Sequence, residues 1–181
     1  TSLDFGAVLL SQSSERTLTV RNTGTTTLNV SSMRSSEAAF SISGSTTFQL
    51  APGTAKTLTL KFSPTSVGPQ QADLIITSND TTQPTLTVPL SGTGVGVPQI
   101  AVEPASLDFG TVALGHSAQR TLTMRNSGTA DLAVSAISSS EAAFSIVGDT
   151  AFQVAPGTTR GVTVQFTPSA VGQKQASLTI A

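Results

Sequence analysis

The chain repeats itself at a constant offset. Ser2-Leu3-Asp4-Phe5-Gly6 returns as Ser106-Leu107-Asp108-Phe109-Gly110, 104 residues later. At that same offset Arg16-Thr17-Leu18-Thr19 meets Arg120-Thr121-Leu122-Thr123, and Glu37-Ala38-Ala39-Phe40-Ser41-Ile42 meets Glu141-Ala142-Ala143-Phe144-Ser145-Ile146. Ala51-Pro52-Gly53-Thr54 likewise meets Ala155-Pro156-Gly157-Thr158. Roughly 44 of the 77 overlapping positions are identical without a gap, so the chain is a duplicated domain and its fold must be solved about a hundred residues at a time. We expect a first copy over 1–97 and a second over 98–181.

The eight phenylalanines show what is being repeated. Phe5, Phe40, Phe48 and Phe62 pair with Phe109, Phe144, Phe152 and Phe166, and none is left over. Side chains of this size contribute about 1.5 to 3 kcal/mol each when fully buried, so a matched set reads as core. Around them the apolar period is two: Leu18 and Val20 alternate with Thr17, Thr19 and Arg21, and Leu58, Leu60 and Phe62 alternate with Thr57, Thr59 and Lys61. Leu86, Val88 and Leu90 alternate with Thr85, Thr87 and Pro89 in the same way. This is the pattern of strands with one dry and one wet face.

Turn residues break the runs at Asn22-Thr23-Gly24, Ser43-Gly44, Pro52-Gly53, Pro64 to Gly68 and Asn79-Asp80. Strands are therefore predicted at 2–8, 15–22, 27–33, 38–43, 47–50, 55–62, 71–78 and 85–91, with equivalents 104 residues on. Seven or eight short strands without a helical period give an all-β class: two tandem immunoglobulin-like antiparallel β-sandwiches. Gly92 to Pro98 reads as the linker between copies, and Gln99 to Glu103 as an alternating lead-in strand interrupted by Pro104.

Copy two matches copy one only as far as Thr77, so the run from Ser78 to Gly92 has no counterpart in it. An open sheet edge is expected there. Either the chain belongs to a longer array, or a strand from a neighbouring molecule completes the sheet.

Composition narrows the partners. Charged residues are 10% of the chain and the net charge is −1, which removes the basic surface that a nucleic-acid binder or a membrane-surface helix uses. With no cysteine, neither disulfides nor thiolate metal sites are available. No apolar run reaches the roughly 18 to 20 residues that span a bilayer.

Each chemical candidate has a plainer reading. His116 is the one histidine, its counterpart is Gln12, and it has no second imidazole or thiol to join it, so it is expected to be a solvated loop residue. Asp4, Glu37 and Asp73 are scattered over different strands and Asp73 becomes Ser177, which suits no carboxylate pair. Asn79-Asp80 and Asp149 offer oxygen ligands for calcium, but they lack the alternating spacing of a dedicated loop and serve equally as turn residues. Hence no catalytic residue, no metal and no cofactor is assigned.

Asn29-Val30-Ser31 and Asn79-Asp80-Thr81 fit the glycosylation acceptor pattern. The remaining candidates are Arg16, Arg21, Arg120 and Arg125, repeated cations that would give each copy a protein-binding face, against the default of a solvated strand surface.

Leu3-Asp4-Phe5-Gly6, Val20-Arg21-Asn22-Thr23-Gly24, Phe40-Ser41-Ile42, Leu50-Ala51-Pro52-Gly53, Phe62-Ser63-Pro64 and Val67-Gly68 together resemble the ASPM–SPD-2–Hydin domain. In bacterial surface and secreted proteins, the same signatures resemble choice-of-anchor D modules. The resemblance covers nearly the whole chain, twice, and implies a sandwich related to major-sperm-protein and PapD-like folds.

It further implies one of two settings. In the first, the chain is a non-catalytic spacer or fibre-forming module of a longer bacterial surface or secreted protein, whose partners are neighbouring repeats or copies of itself. In the second, it is a protein- or peptide-binding module of a ciliary or cytoskeletal protein, using an edge strand or the arginine-bearing face. No nucleic acid and no membrane insertion are expected in either.

Overall fold

Alternating Val/Leu/Phe and Ser/Thr positions become strands wherever a partner strand lies alongside, and the two copies differ in where such partners exist. The structure, a computed structural model, describes residues 2–181. It divides into two units, Thr1–Gly96 and Val97–Ala181.

The first unit has eight strands: β1 (Leu3–Leu9), β2 (Ser14–Arg21), β3 (Leu28–Ser35), β4 (Phe40–Ser43), β5 (Phe48–Leu50), β6 (Ala55–Phe62), β7 (Gly68–Ser78) and β8 (Thr85–Val95). A five-stranded sheet in the order β1-β8-β7-β3-β5 and a three-stranded sheet in the order β2-β6-β4 form the sandwich. Its interior holds Phe5, Phe40, Leu58, Leu60, Phe62, Leu74, Ile76, Val88 and Leu90, all buried. Phe40 stacks on Phe62 with centroids 4.6 Å apart, and Phe5 meets Phe40 edge-on at 5.6 Å. Offset and edge-on geometries of this kind add roughly 0.5 to 1.5 kcal/mol per pair to the area term.

Most pairings are antiparallel, but β1 runs parallel to β8. Phe5 and Val8 are three residues apart, so a regular strand would turn them to opposite faces. A register shift between Asp4 and Ala7, with the Asp4 carboxylate accepting from the Gly6 N–H at 3.0 Å, lets both enter the core.

The second unit comprises β9 (Ile100–Glu103), β10 (Ala118–Asn126), β11 (Leu132–Val134), β12 (Ile137–Ser139), β13 (Phe144–Val147), β14 (Phe152–Val154), β15 (Thr159–Phe166) and β16 (Leu178–Ile180). One sheet has the order β13-β15-β10-β9, and β11-β14 and β12-β16 are two-stranded. The lead-in strand expected before Pro104 is β9, and it covers the edge of β10 with Met124 opposite Val102.

Three expectations need correction. Residues 106–112 form no strand, and the strand expected at 175–181 shrinks to Leu178–Ile180. In the first unit β1 pairs with β8 alone, and β7 lies against β8 along ten residues. Among the described residues of the second unit no strand fills that role, and a backbone ladder needs two sides. Finally, Gly92 to Val95 is not linker but the end of β8. A Cβ on Gly92 would lie 2.5 Å from Cε1 of Phe62, and one on Gly94 would overlap the Ser66 carbonyl oxygen. These glycines serve close approach rather than bending.

Candidate functional site

The four arginines singled out from the sequence do not share a face. Arg16 and Arg21 are five residues apart on the uninterrupted strand β2, and an odd separation puts them on opposite sides of the sheet. The Arg16 Nε donates to the Asp4 carbonyl at 3.1 Å and its Nη1 to the Glu15 carbonyl at 2.9 Å. Arg120 does the same with Asp108 at 3.0 Å and Gln119 at 2.9 Å. Both therefore tie the Leu-Asp-Phe-Gly segment to the following strand, and Arg120 does so although 106–112 has no ladder. Arg21 and Arg125 are exposed on the outer face. On that face of the first unit stand Thr17, Thr19, Thr57 and Thr59 in facing register, Thr19 and Thr57 sharing a hydroxyl hydrogen bond at 3.1 Å.

Sequence reasoning missed the buried asparagines beside those arginines. Asn22 and Asn126 are the buried polar side chains of the described residues. The Asn22 Nδ2 donates to the carbonyls of Thr26 at 2.8 Å and Leu50 at 2.9 Å, while its Oδ1 accepts from the Gly24 N–H at 3.0 Å. Asn126 repeats this with Ala130, Val154 and Gly128 at 2.7, 2.9 and 2.9 Å. Each ties its turn to a strand distant in sequence, Asn22 to the end of β5 and Asn126 to the end of β14, with both amide protons donated. The signal was present: Asn-x-Gly recurs in both copies at a strand end, where an asparagine side chain replaces a missing backbone partner.

The other candidates fall on turns. His116 is exposed. The Asp80 carboxylate accepts from the Thr82 hydroxyl at 2.7 Å, the Thr82 N–H at 2.8 Å and the Gln83 N–H at 3.2 Å. These donors hold its pKa below the ordinary value of 3.8, the Thr82 hydroxyl foremost. Asn79 accepts from the Asn29 N–H at 2.7 Å. Asp149 is paired with Arg160 at 2.8 Å. Among the described residues no group of three His, Asp or Glu side chains is arranged to hold a metal.

The feature with room for a ligand is a cleft in the second unit of about 1360 Å³, walled by Leu107 to Leu114 on one side and Ala170 to Leu178 on the other. Its floor includes Phe109, Phe144 and Phe166. These rings keep the geometry of the first unit, Phe144 stacked on Phe166 at 4.5 Å and Phe109 edge-on to Phe144 at 5.5 Å. Exposure differs sharply: Phe5, Phe40, Leu74 and Ile76 are buried, whereas Phe109, Phe144, Leu178 and Ile180 are half-buried. The charged groups lining the cleft are Asp108 and Lys174. The cleft thus combines the half-buried Phe109 and Phe144 of its floor with walls whose backbone at 107–113 and 172–177 forms no strand.

Residues 1–95 match the family described as Cep192 domain 4, and residues 98–181 match the HYDIN/CFA65/VesB-like, Ig-like domain. The chain belongs to the ASH-type immunoglobulin-like domains. The ASH-type match spans both units, and the all-β sandwich with its Phe trio is the fold the resemblance implied. No curated protein matches the sequence.

Among solved structures, a Porphyromonas gingivalis W83 protein of unknown function is 20% identical with a TM-score of 0.46, covering 92% of this chain and 80% of that one. The secreted serine protease VesC from Vibrio cholerae is 15% identical with a TM-score of 0.42, and the chain spans about half its length, 98% of this chain lying on 49% of that one. The Pseudomonas aeruginosa CupB2 chaperone is 16% identical with a TM-score of 0.41, over 98% and 88% of the two chains.

Proposed function

We propose that this ASH-type pair is a non-catalytic spacer module in a longer repeat protein of a bacterial surface or secretion setting, with neighbouring repeats as its partners. The observation that carries the reading is where the copies agree and where they drift. The Phe trio keeps its centroid separations to within about 0.1 Å between units, and the asparagine staple is repeated bond for bond. Several exposed positions change, as Glu15, Arg34 and Asp73 become Gln119, Ser138 and Ser177, whereas the buried replacements stay apolar, as Leu58 and Leu60 become Val162 and Val164. A scaffold needs its interior plan and turns repeated, and tolerates charge changes at scattered exposed positions. Low lysine with abundant serine and threonine fits the bacterial setting.

A spacer must resist extension. Pulled between its ends in a single-molecule instrument, the chain is expected to give two separate unfolding events, each releasing roughly 30 nm. Smooth lengthening without resisting events would defeat the proposal. The second reading keeps Arg21 and Arg125 as the exposed cations of a protein-binding face. Under the spacer reading, the double substitution Arg21→Ala and Arg125→Ala leaves both unfolding forces unchanged.

A further inference from the structure

Two backbone anchors, one in each unit, leave a single residue between them. At the end of β8, Val95 stands opposite Leu9, and its carbonyl accepts from the Leu10 N–H at 2.9 Å. Two residues on, the Val97 N–H donates to Thr129 Oγ1 at 3.0 Å, and the Val97 carbonyl accepts from the N–H groups of Thr129 at 2.7 Å and Ala130 at 3.2 Å. Val95 belongs to the first unit and Val97 to the second, so Gly96 alone stands between the anchors. We propose that the pair carries its freedom of movement at Gly96, and that the 126–130 turn, by gripping 97–99, sets how far this pivot swings. The proposal goes beyond the spacer reading and does not rest on it.

The grip is made by backbone and continues residue by residue. Pro98 has its φ fixed by the ring. The Gln99 N–H donates to Asn126 Oδ1 at 3.2 Å, and the Gln99 carbonyl accepts from the Ser127 N–H at 2.8 Å. Ile100 then enters β9 opposite Asn126. A Cβ on Gly128 would lie 2.2 Å from the Val97 carbonyl oxygen and 2.5 Å from the Gln99 nitrogen, so glycine there is what lets the segment lie flat on the turn. At the counterpart Gly24, a Cβ would meet only Asn22 Oδ1 of its own turn, at 3.3 Å. With the residues on either side bonded, a change of direction falls on the torsions at Gly96, and glycine has the widest choice of these. Hinges of this kind absorb motion at a few residues while the bodies stay rigid. A free glycine-rich linker lets its domains turn independently, whereas a gripped pivot passes the turning of one unit to the other.

The chain has no cysteine, so spin labels go cleanly onto Ser41→Cys and Ser145→Cys, exposed in β4 and β13. Pulsed electron paramagnetic resonance then reads the spread of their separation, and a pair at Ser41→Cys and Gln71→Cys, both in the first unit, gives the spread of the labels themselves. A Gly-Ser-Gly insertion after Gly96 marks the released joint. The proposal expects the native chain to show at most about half the spread of the inserted one. Gly128→Ala, which drives 97–99 off the turn, broadens the native spread about twofold or more, while Gly24→Ala, the same change in the first unit, leaves it as it was. Thr129→Val removes the partner of the Val97 N–H without adding bulk and broadens the spread in the same direction, so the grip is tested even where Gly128→Ala fails to fold. Equal spread in the native and inserted chains, or an unchanged spread with either Gly128→Ala or Thr129→Val, would overturn the proposal.

Discussion

At the scale of single residues, the fold is held by side chains that replace or displace backbone. Asn22 has two donors and one acceptor committed to backbone groups at a buried turn. Asn22→Ala strands those carbonyls without partners and should cost the first unit about 2 to 3 kcal/mol in chemical denaturation, with Asn126→Ala doing the same to the second. Gly92 fills no space, yet any side chain there must push into Phe62. Gly92→Val is expected to destabilise by about 1 to 3 kcal/mol although it adds apolar area, and a neutral result would contradict the packing described. Asp80 contributes to the pH dependence. Its folded pKa is lowered by its hydroxyl and amide donors, so its contribution is present above the ordinary carboxylate range and fades as pH falls through the lowered folded value. Asp80→Asn should flatten that part of the acid limb of a stability profile. The Phe pairing announced the core for Phe5, Phe40, Phe62 and Phe166, but Phe109 and Phe144 are half-buried beside the cleft and Phe48 and Phe152 are half-buried under Lys56 and Arg160. The roles of Asn22 and Gly92 were hidden because a turn residue and a linker glycine look alike until the neighbour they touch is known.

At the scale of elements, alternation located β2, β3, β6 and β8 to within a few residues, because each has one dry face in a closed sheet. It failed at 106–112, whose residues are as strand-like as those of β1, since pairing depends on a neighbour and not on the segment alone. That Arg16 and Arg21 stand on opposite sides of their sheet was legible beforehand, as five residues along a strand reverse the side. A matched pair of substitutions measures what β8 contributes. Leu74→Ala, in a fully buried site, should cost about 2 to 5 kcal/mol, and Leu178→Ala, its half-buried counterpart, roughly half as much. Equal costs would mean that the cleft is closed in solution.

At the scale of the whole molecule, the account describes two bodies with the same interior plan and unequal closure. The buried cluster of the first unit includes Phe5, Phe40 and Phe62 with Leu58, Leu60 and Leu74 of the central strands, whereas that of the second is built on Leu122, Met124, Val134, Ile137 and Val162. The first unit should therefore be the more stable, with the second melting on its own at lower temperature. Calorimetry of the chain with Phe62→Ala and, separately, Phe166→Ala tests this most directly, each substitution removing about 3 to 5 kcal/mol from its own unit. The account predicts two transitions, with Phe166→Ala lowering only the cooler one and Phe62→Ala only the warmer one. A single transition shifted alike by both substitutions would contradict it.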